Sequence, residues 1–156
     1  VSSTAELYSL LIPLAKDRLL VPRICVAEVI AFTEGLGETE DDGPEWLAGE
    51  VDWNGRRLPV MTLDDPADLP ETDRRNRRRI VVFHGLTDAM KGRYYGIVTQ
   101  GFPQLVRVNP DVLSTDPDAT VPEGKPFLCR ARMIHEYPLI PDVERIESLV
   151  AEQRPG

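Results

Sequence analysis

Residues 44–63, PEWLAGEVDWNGRRLPVMTL, read as two strands joined by a two-residue turn. Val51 and Trp53 alternate with Glu50 and Asp52, the period of a strand with two unlike faces. Asn54-Gly55 follows, the residue pair that best tolerates positive φ at both turn centres, and residues 56–61 return as the second strand. The segment carries no cluster of groups able to do chemistry. It is a fold signature with a surface attached.

Outward from this hairpin, fourteen prolines and eleven glycines cut the chain into short apolar pieces, so a mainly β architecture follows. Strands are expected at 7–14, 18–21, 26–32, 79–83, 93–99, 105–108, 127–134 and 137–140, with a turn at Lys16-Asp17. Pro22 interrupts pairing between the second and third of these, because proline donates nothing to a ladder. The last element differs in kind. Asp142 suits an N-cap, and Val143, Ile146, Leu149 and Val150 recur at helical spacing. Residues 34–45 hold six acids and three glycines and read as a solvated acidic loop, while 64–73 form a Pro/Asp-rich connector taken as the boundary between two lobes.

The 156 residues are enough for one ordinary domain with its own core, needing no metal or disulfide staple. With 26 acidic against 18 basic side chains, the formal charge of −8 repels nucleic acid and anionic lipid at long range. Cys25 and Cys129 show no CxxC or Cys/His spacing and read as small hydrophobes. No apolar run reaches the ~18 residues of a membrane span and no secretory start is evident, so a cytoplasmic protein is expected.

Catalysis needs a nucleophile or acid/base beside a group that tunes it, and His84, at a strand end, and His135, at a turn, make no such set. Their spacing does not suit a metal, and phosphate-cradle and nucleophile-elbow motifs are absent, so no enzyme, cofactor or metal site is expected. The run 74–79, five arginines in six positions without interleaved aromatics, suits a linker end paired with the acidic loop, or a patch for an acidic protein.

Leu47, Gly49, Val51, Trp53, Gly55, Pro59, Val60 and Leu63 give the hairpin a pattern that resembles the CheW-like coupling domain of bacterial chemosensory systems. Three further segments are similar to that family in the same order: residues 20–30 (LVPRICVAEVI), 94–102 (YYGIVTQGF) and 139–144 (LIPDVE). The resemblance implies one domain over 1–156, built from two intertwined five-stranded SH3-like β-barrels. The lobes would be 15–63 and 76–141 with 6–14, and a helix would close the chain at 142–153. It also implies a non-catalytic adaptor joining a chemoreceptor's cytoplasmic tip to the regulatory domain of a histidine kinase.

Carried over position by position, Val26, Glu28 and Phe102 fall on the family's receptor-facing groove, and Gly49, Val51, Trp53 and Asn54 on the strand and turn used in partner contacts. Two positions depart from the pattern. Asn54 stands where an arginine usually pairs with the glutamate at position 28, and Gln100 stands where an aspartate usually follows the Gly-Ile-Val strand. Trp46 and Trp53 bring the chain closer to the ChpC-type adaptors of the system controlling type IV pili and twitching. A different binding class stays open beside this one: an SH3-like small barrel reading peptide or nucleic acid through the arginine run.

Overall fold

A computed structural model describes residues 6–32, 43–69 and 77–153. Among the described residues, eleven strands precede one helix: β1 (Leu7–Pro13), β2 (Arg18–Pro22), β3 (Val26–Ala31), β4 (Leu47–Trp53), β5 (Arg56–Met61), β6 (Arg79–His84), β7 (Tyr94–Thr99), β8 (Gln104–Val108), β9 (Ser114–Thr115), β10 (Phe127–Arg132), β11 (Leu139–Pro141) and α1 (Val143–Glu152). They form a six-stranded sheet in the order β8-β1-β2-β11-β10-β9 and a five-stranded sheet in the order β3-β6-β7-β5-β4. The mainly β class and the terminal helix match the sequence reading. The six-stranded sheet exceeds five only through the two-residue β9, which pairs with the end of β10.

The lobe division needs correcting. The 64–73 connector does not separate the sheets, since β5 before it and β6 after it belong to the same one. The chain instead changes sheet at two short places. The first is the 3-10 turn Arg23–Cys25 after Pro22, and the second is the step between Thr99 and Gln104. β2 therefore leaves the first expected lobe, and β6 and β7 leave the second. Composition marks solvated loops, whereas a change of sheet needs only a few residues that stop pairing.

The turn at Asn54 (φ 47) and Gly55 (φ 75) is left-handed at both centres, as a tight hairpin of this twist requires. β6 and β7 lie in the interior of their sheet and are covered on both faces, which is why residues 80–83 form an unbroken apolar run rather than alternating. Val81 and Phe83 join Tyr95, Ile97, Met61, Leu19, Ile12 and Ile146 in the main core between the sheets and the helix. Ile80 turns the other way, to Val60 and Val98, with Ile30, Phe32, Ala48 and Val51 around them. This second core fills the concave face of the five-stranded sheet. Gly96 leaves it room, since a Cβ there would lie 2.7 Å from Ile80 Cγ2.

α1 is capped by Asp142, whose Oδ1 accepts from Arg145 N at 3.2 Å. Its buried residues are Ile146, Glu147 and Val150. Glu147 is fully buried, and its carboxylate accepts from Leu86 N (2.9 and 3.0 Å), Thr87 N (2.7 Å), Thr87 Oγ1 (2.8 Å) and Tyr95 Oη (3.2 Å). Four donors converge on two oxygens, so the charge leaves water with its hydrogen-bonding capacity used. Burial, then Glu147, holds the Tyr95 phenol well above its ordinary range, keeping it a donor.

Glu147→Gln would turn an amide N–H₂ toward donors and leave at least one unpaired, at about 1–3 kcal/mol. A fall in melting temperature of about 2–10 °C is expected for a chain of this length. An unchanged melt would show that the network contributes nothing net.

Candidate partner-binding surface

β3 and β4 are the two outermost strands of the five-stranded sheet, yet a side chain from each meets the other: Trp53 Nε1 donates to Glu28 Oε2. The sheet is thus curled far enough for its edges to be bridged. Trp53 ends β4 and is half-buried, its ring centroid 4.9 Å from that of Tyr94 at the start of β7. Tyr94 also touches His84, at 5.3 Å, and lies under the Arg56 guanidinium, at 5.2 Å. Arg56 Nη1 donates to the Gly92 carbonyl at 3.2 Å, which fixes the guanidinium over the ring. Aromatic and cation–π contacts of this kind contribute about 0.5–1.5 kcal/mol each. Together they close one end of the curled sheet.

This arrangement answers the first departure from the family pattern. With Asn54 exposed at the turn and no arginine there, the indole N–H one residue earlier takes up the Glu28 carboxylate. A neutral donor replaces a cation, so Glu28 keeps its negative charge at the surface. The second departure has a structural partner as well. Gln100 Nε2 donates to Asp64 Oδ2 at 3.0 Å, and Asp64 Oδ1 accepts from Ala15 N at 2.8 Å. An aspartate at position 100 would set a carboxylate against the buried Asp64.

The remaining expected site residues are dispersed. Val26 is half-buried and packs on the main core, Gly49 is buried at a bulge of β4, and Val51 packs on the second core. Phe102 is 64% exposed and lies at the far end of the five-stranded sheet, where β6 begins. Arg79 stacks on it, 4.3 Å from the ring centroid, and Arg78 lies 5.5 Å from that of Phe32. The described end of the arginine run thus meets aromatics in space that are absent from it in sequence, and residues 74–76 lie outside the described residues. Glu28, Trp53 and Asn54 form one surface, which Phe102 does not join.

The sequence reading did not single out Ile24 and Leu86. Ile24 is 82% exposed in the 3-10 turn before Val26, and Leu86 is 53% exposed beside an apolar cavity of about 100 Å³ that Cys25, Pro22 and Val143 also line. An isoleucine between arginine and cysteine carries no periodicity, so only the turn reveals its exposure. Burial pushes the Cys25 thiol up, with Glu147 adding to the effect, so it is no thiolate nucleophile at neutral pH. Among the described residues no three His, Cys, Asp or Glu side chains gather as a metal site, and no helix is long and apolar enough to cross a membrane.

The pattern of bulged hairpin, two-sheet core and terminal helix runs through almost the whole chain, and a model of the CheW-like domain matches residues 9–149. The chain belongs to the CheW-like domain family. Its structure is similar to that of the scaffolding protein TtCheW from Thermoanaerobacter tengcongensis, with a TM-score of 0.68 and 15% sequence identity. The match covers 88% of this chain and 84% of that one. At that identity the likeness is one of fold. No curated protein matches the sequence.

Two outcomes test the surface as a built object. Trp53→Phe keeps a ring for Tyr94 but loses the N–H to Glu28 and part of the ring area, so at this half-buried site it should cost about 1 kcal/mol, a fall of about 2–4 °C. Trp53→Ala should cost clearly more, and equal melts for the two variants would show that the ring contacts contribute nothing.

Burial pushes the Asp64 carboxyl above the usual carboxylate range, against the opposing pull of the Ala15 and Gln100 bonds. The folded chain therefore holds this proton to higher pH than the unfolded chain does. Stability from this group falls as pH rises from about 4, the unfolded value, through the raised folded one. Asp64→Asn removes the titration, so the difference in melting temperature, variant minus parent, should move in the variant's favour across that window.

Proposed function

We propose that this chain is a non-catalytic adaptor of the pilus chemosensory type, coupling a chemoreceptor's cytoplasmic tip to the regulatory domain of a histidine kinase in the cytoplasm. The coarse part of the reading, a CheW-like scaffold in chemotaxis signalling, is supported by a family match that spans nearly the whole described fold. The similar solved structure carries the description of a scaffolding protein.

The finer part rests on the Trp53–Glu28 bond. A tryptophan holding the β3 glutamate presents an aromatic surface where the common pattern presents an arginine. A partner matched to this chain meets apolar area, an exposed Asn54 and a retained negative charge. Exposed Ile24 and Leu86 add apolar contact at the neighbouring step between the sheets. Interfaces made of scattered apolar anchors in a polar surround suit transient assembly, often below ~1,200 Å².

Calorimetric titration of the chain into the purified regulatory domain of the pilus-system kinase of the same organism, at two salt concentrations, tests the reading. Saturable binding at unit stoichiometry is expected, with Trp53→Ala weakening affinity in the folded fraction by about tenfold or more, as for an aromatic interface anchor. Absence of heat and of co-elution would remove the kinase from the proposal. Normal affinity of folded Trp53→Ala would remove Trp53 from the interface.

A further inference from the structure

In a chain of net charge −8, three guanidinium groups line one groove at the hairpin tip. Residues 55–59 form one side and Arg93-Tyr94 the other, enclosing about 490 Å³. Leu58 and Pro59 are buried and make an apolar floor, while Gly55, Arg56 and Arg57 are exposed along the rim. The three arginines are engaged differently. Arg56 is spent on Tyr94 and the Gly92 carbonyl. Arg57 pairs with Glu50 and, at 3.7 Å, with Asp52. Arg93 is half-buried and its side chain has no ion pair or hydrogen bond among the described residues.

We propose that this groove binds an acidic segment of a partner protein that carries an apolar side chain between its carboxylates; the inference rests on the adaptor reading above and names the chemistry of the segment recognised. The chain's own Glu50 and Asp52 already show what Arg57 accepts, and Arg93 offers a planar fork of donors for the same group. The buried floor of Leu58 and Pro59 takes the apolar side chain. A small anionic ligand fits less well, since such sites enclose about 70–90% of their ligand, whereas this rim is open along one side. Single-stranded nucleic acid fits less well too. It needs a free aromatic face for stacking, and the Tyr94 ring is flanked by Arg56, Trp53 and His84. The surrounding negative charge selects the approach. The net negative charge of the chain opposes an acidic segment at long range, so the local positive charge of this tip sets orientation more than affinity.

The test is fluorescence anisotropy of a short labelled peptide of repeating Glu-Leu-Glu, titrated with the full chain at low and at physiological ionic strength. A single-stranded RNA oligomer and the kinase regulatory domain are run in parallel. Saturable peptide binding that weakens with salt is expected. Arg93→Glu should weaken it about tenfold or more, Arg93→Lys less, and Leu58→Ala should lose affinity with little change in salt dependence. The Arg93 backbone bonds, from its N–H to Met90 and from Gly85 to its carbonyl, do not involve the side chain, so the charge variants retain the fold. Peptide binding indifferent to Arg93→Glu would overturn the inference, as would no peptide binding, or RNA binding that alone depends on Arg93. Kinase-domain binding without peptide binding would sink the groove and leave the adaptor reading standing; the converse would remove the kinase from the adaptor reading and leave the groove.

Discussion

The buried carboxylate of Glu147 ties together parts of the chain that no hydrogen-bonded ladder connects. Helix α1 follows β11 of the six-stranded sheet, whereas Leu86, Thr87 and Tyr95 belong to the β6–β7 segment of the five-stranded sheet. Apolar packing alone would hold the helix over the core without fixing where along it the β6–β7 loop sits. Convergent hydrogen bonds to one charged group do fix it, because a shift by one residue would orphan several donors at once. Exposed Leu86 is therefore presented from a loop whose backbone N–H is itself bonded to Glu147. The rigidity of that part of the surface follows from the helix.

The two crossings between sheets impose the second constraint. β1 and β2 precede the five-stranded sheet in sequence, β8 to β11 follow it, and together these make the other sheet. The six-stranded sheet is thus assembled from two separate stretches, and the continuous stretch from Val26 to Thr99 that makes the five-stranded sheet is inserted between them. Both crossings fall near residues of interest: Ile24 and Cys25 at the first, Gln100 and Phe102 at the second. A crossing must stop pairing yet stay close to the core, and this leaves side chains exposed on a rigid base. Gln100 shows how closely such a step is held, since its N–H bonds to the Pro13 carbonyl and its side-chain amide to Asp64.

Most strands and the helix were legible because they carry local signals: the Asn-Gly turn, the double-sided apolar run at 80–83, and the capping Asp142. The lobe boundary was not. It depends on which strands pair at long range, and the parallel contact of β5 with β7 leaves no mark in composition. Glu147 is instructive, because Val143, Ile146, Glu147 and Val150 make the i, i+3, i+4, i+7 set, with a glutamate where a hydrophobe would be expected. A charged residue inside an apolar stripe can be a solvated interruption or a buried anchor, and only its donors decide. Glu28 and Trp53, by contrast, were both picked out from sequence, but for separate surfaces. Their bond requires the curl of the sheet, which sequence spacing of 25 residues does not encode.

That bond also explains why the hairpin tip tolerates the loss of the arginine usual before its glycine. The position at 54 is constrained by the turn: with φ at 47, asparagine is among the few residues besides glycine that occupy it at little cost. Once asparagine takes the turn, the glutamate across the curl needs another donor, and the end residue of β4 is within reach. The indole supplies the donor and a ring that packs on Tyr94, which Arg56 and His84 flank in turn. The guanidinium withdrawn from Glu28 is not lost to the surface, because Arg56, Arg57 and Arg93 gather on the groove beside the turn. Negative charge is thus kept at Glu28 and positive charge at the groove, with an aromatic cluster between them. Separated this way, the two charges would act on the partner proposed above at different points and set its orientation.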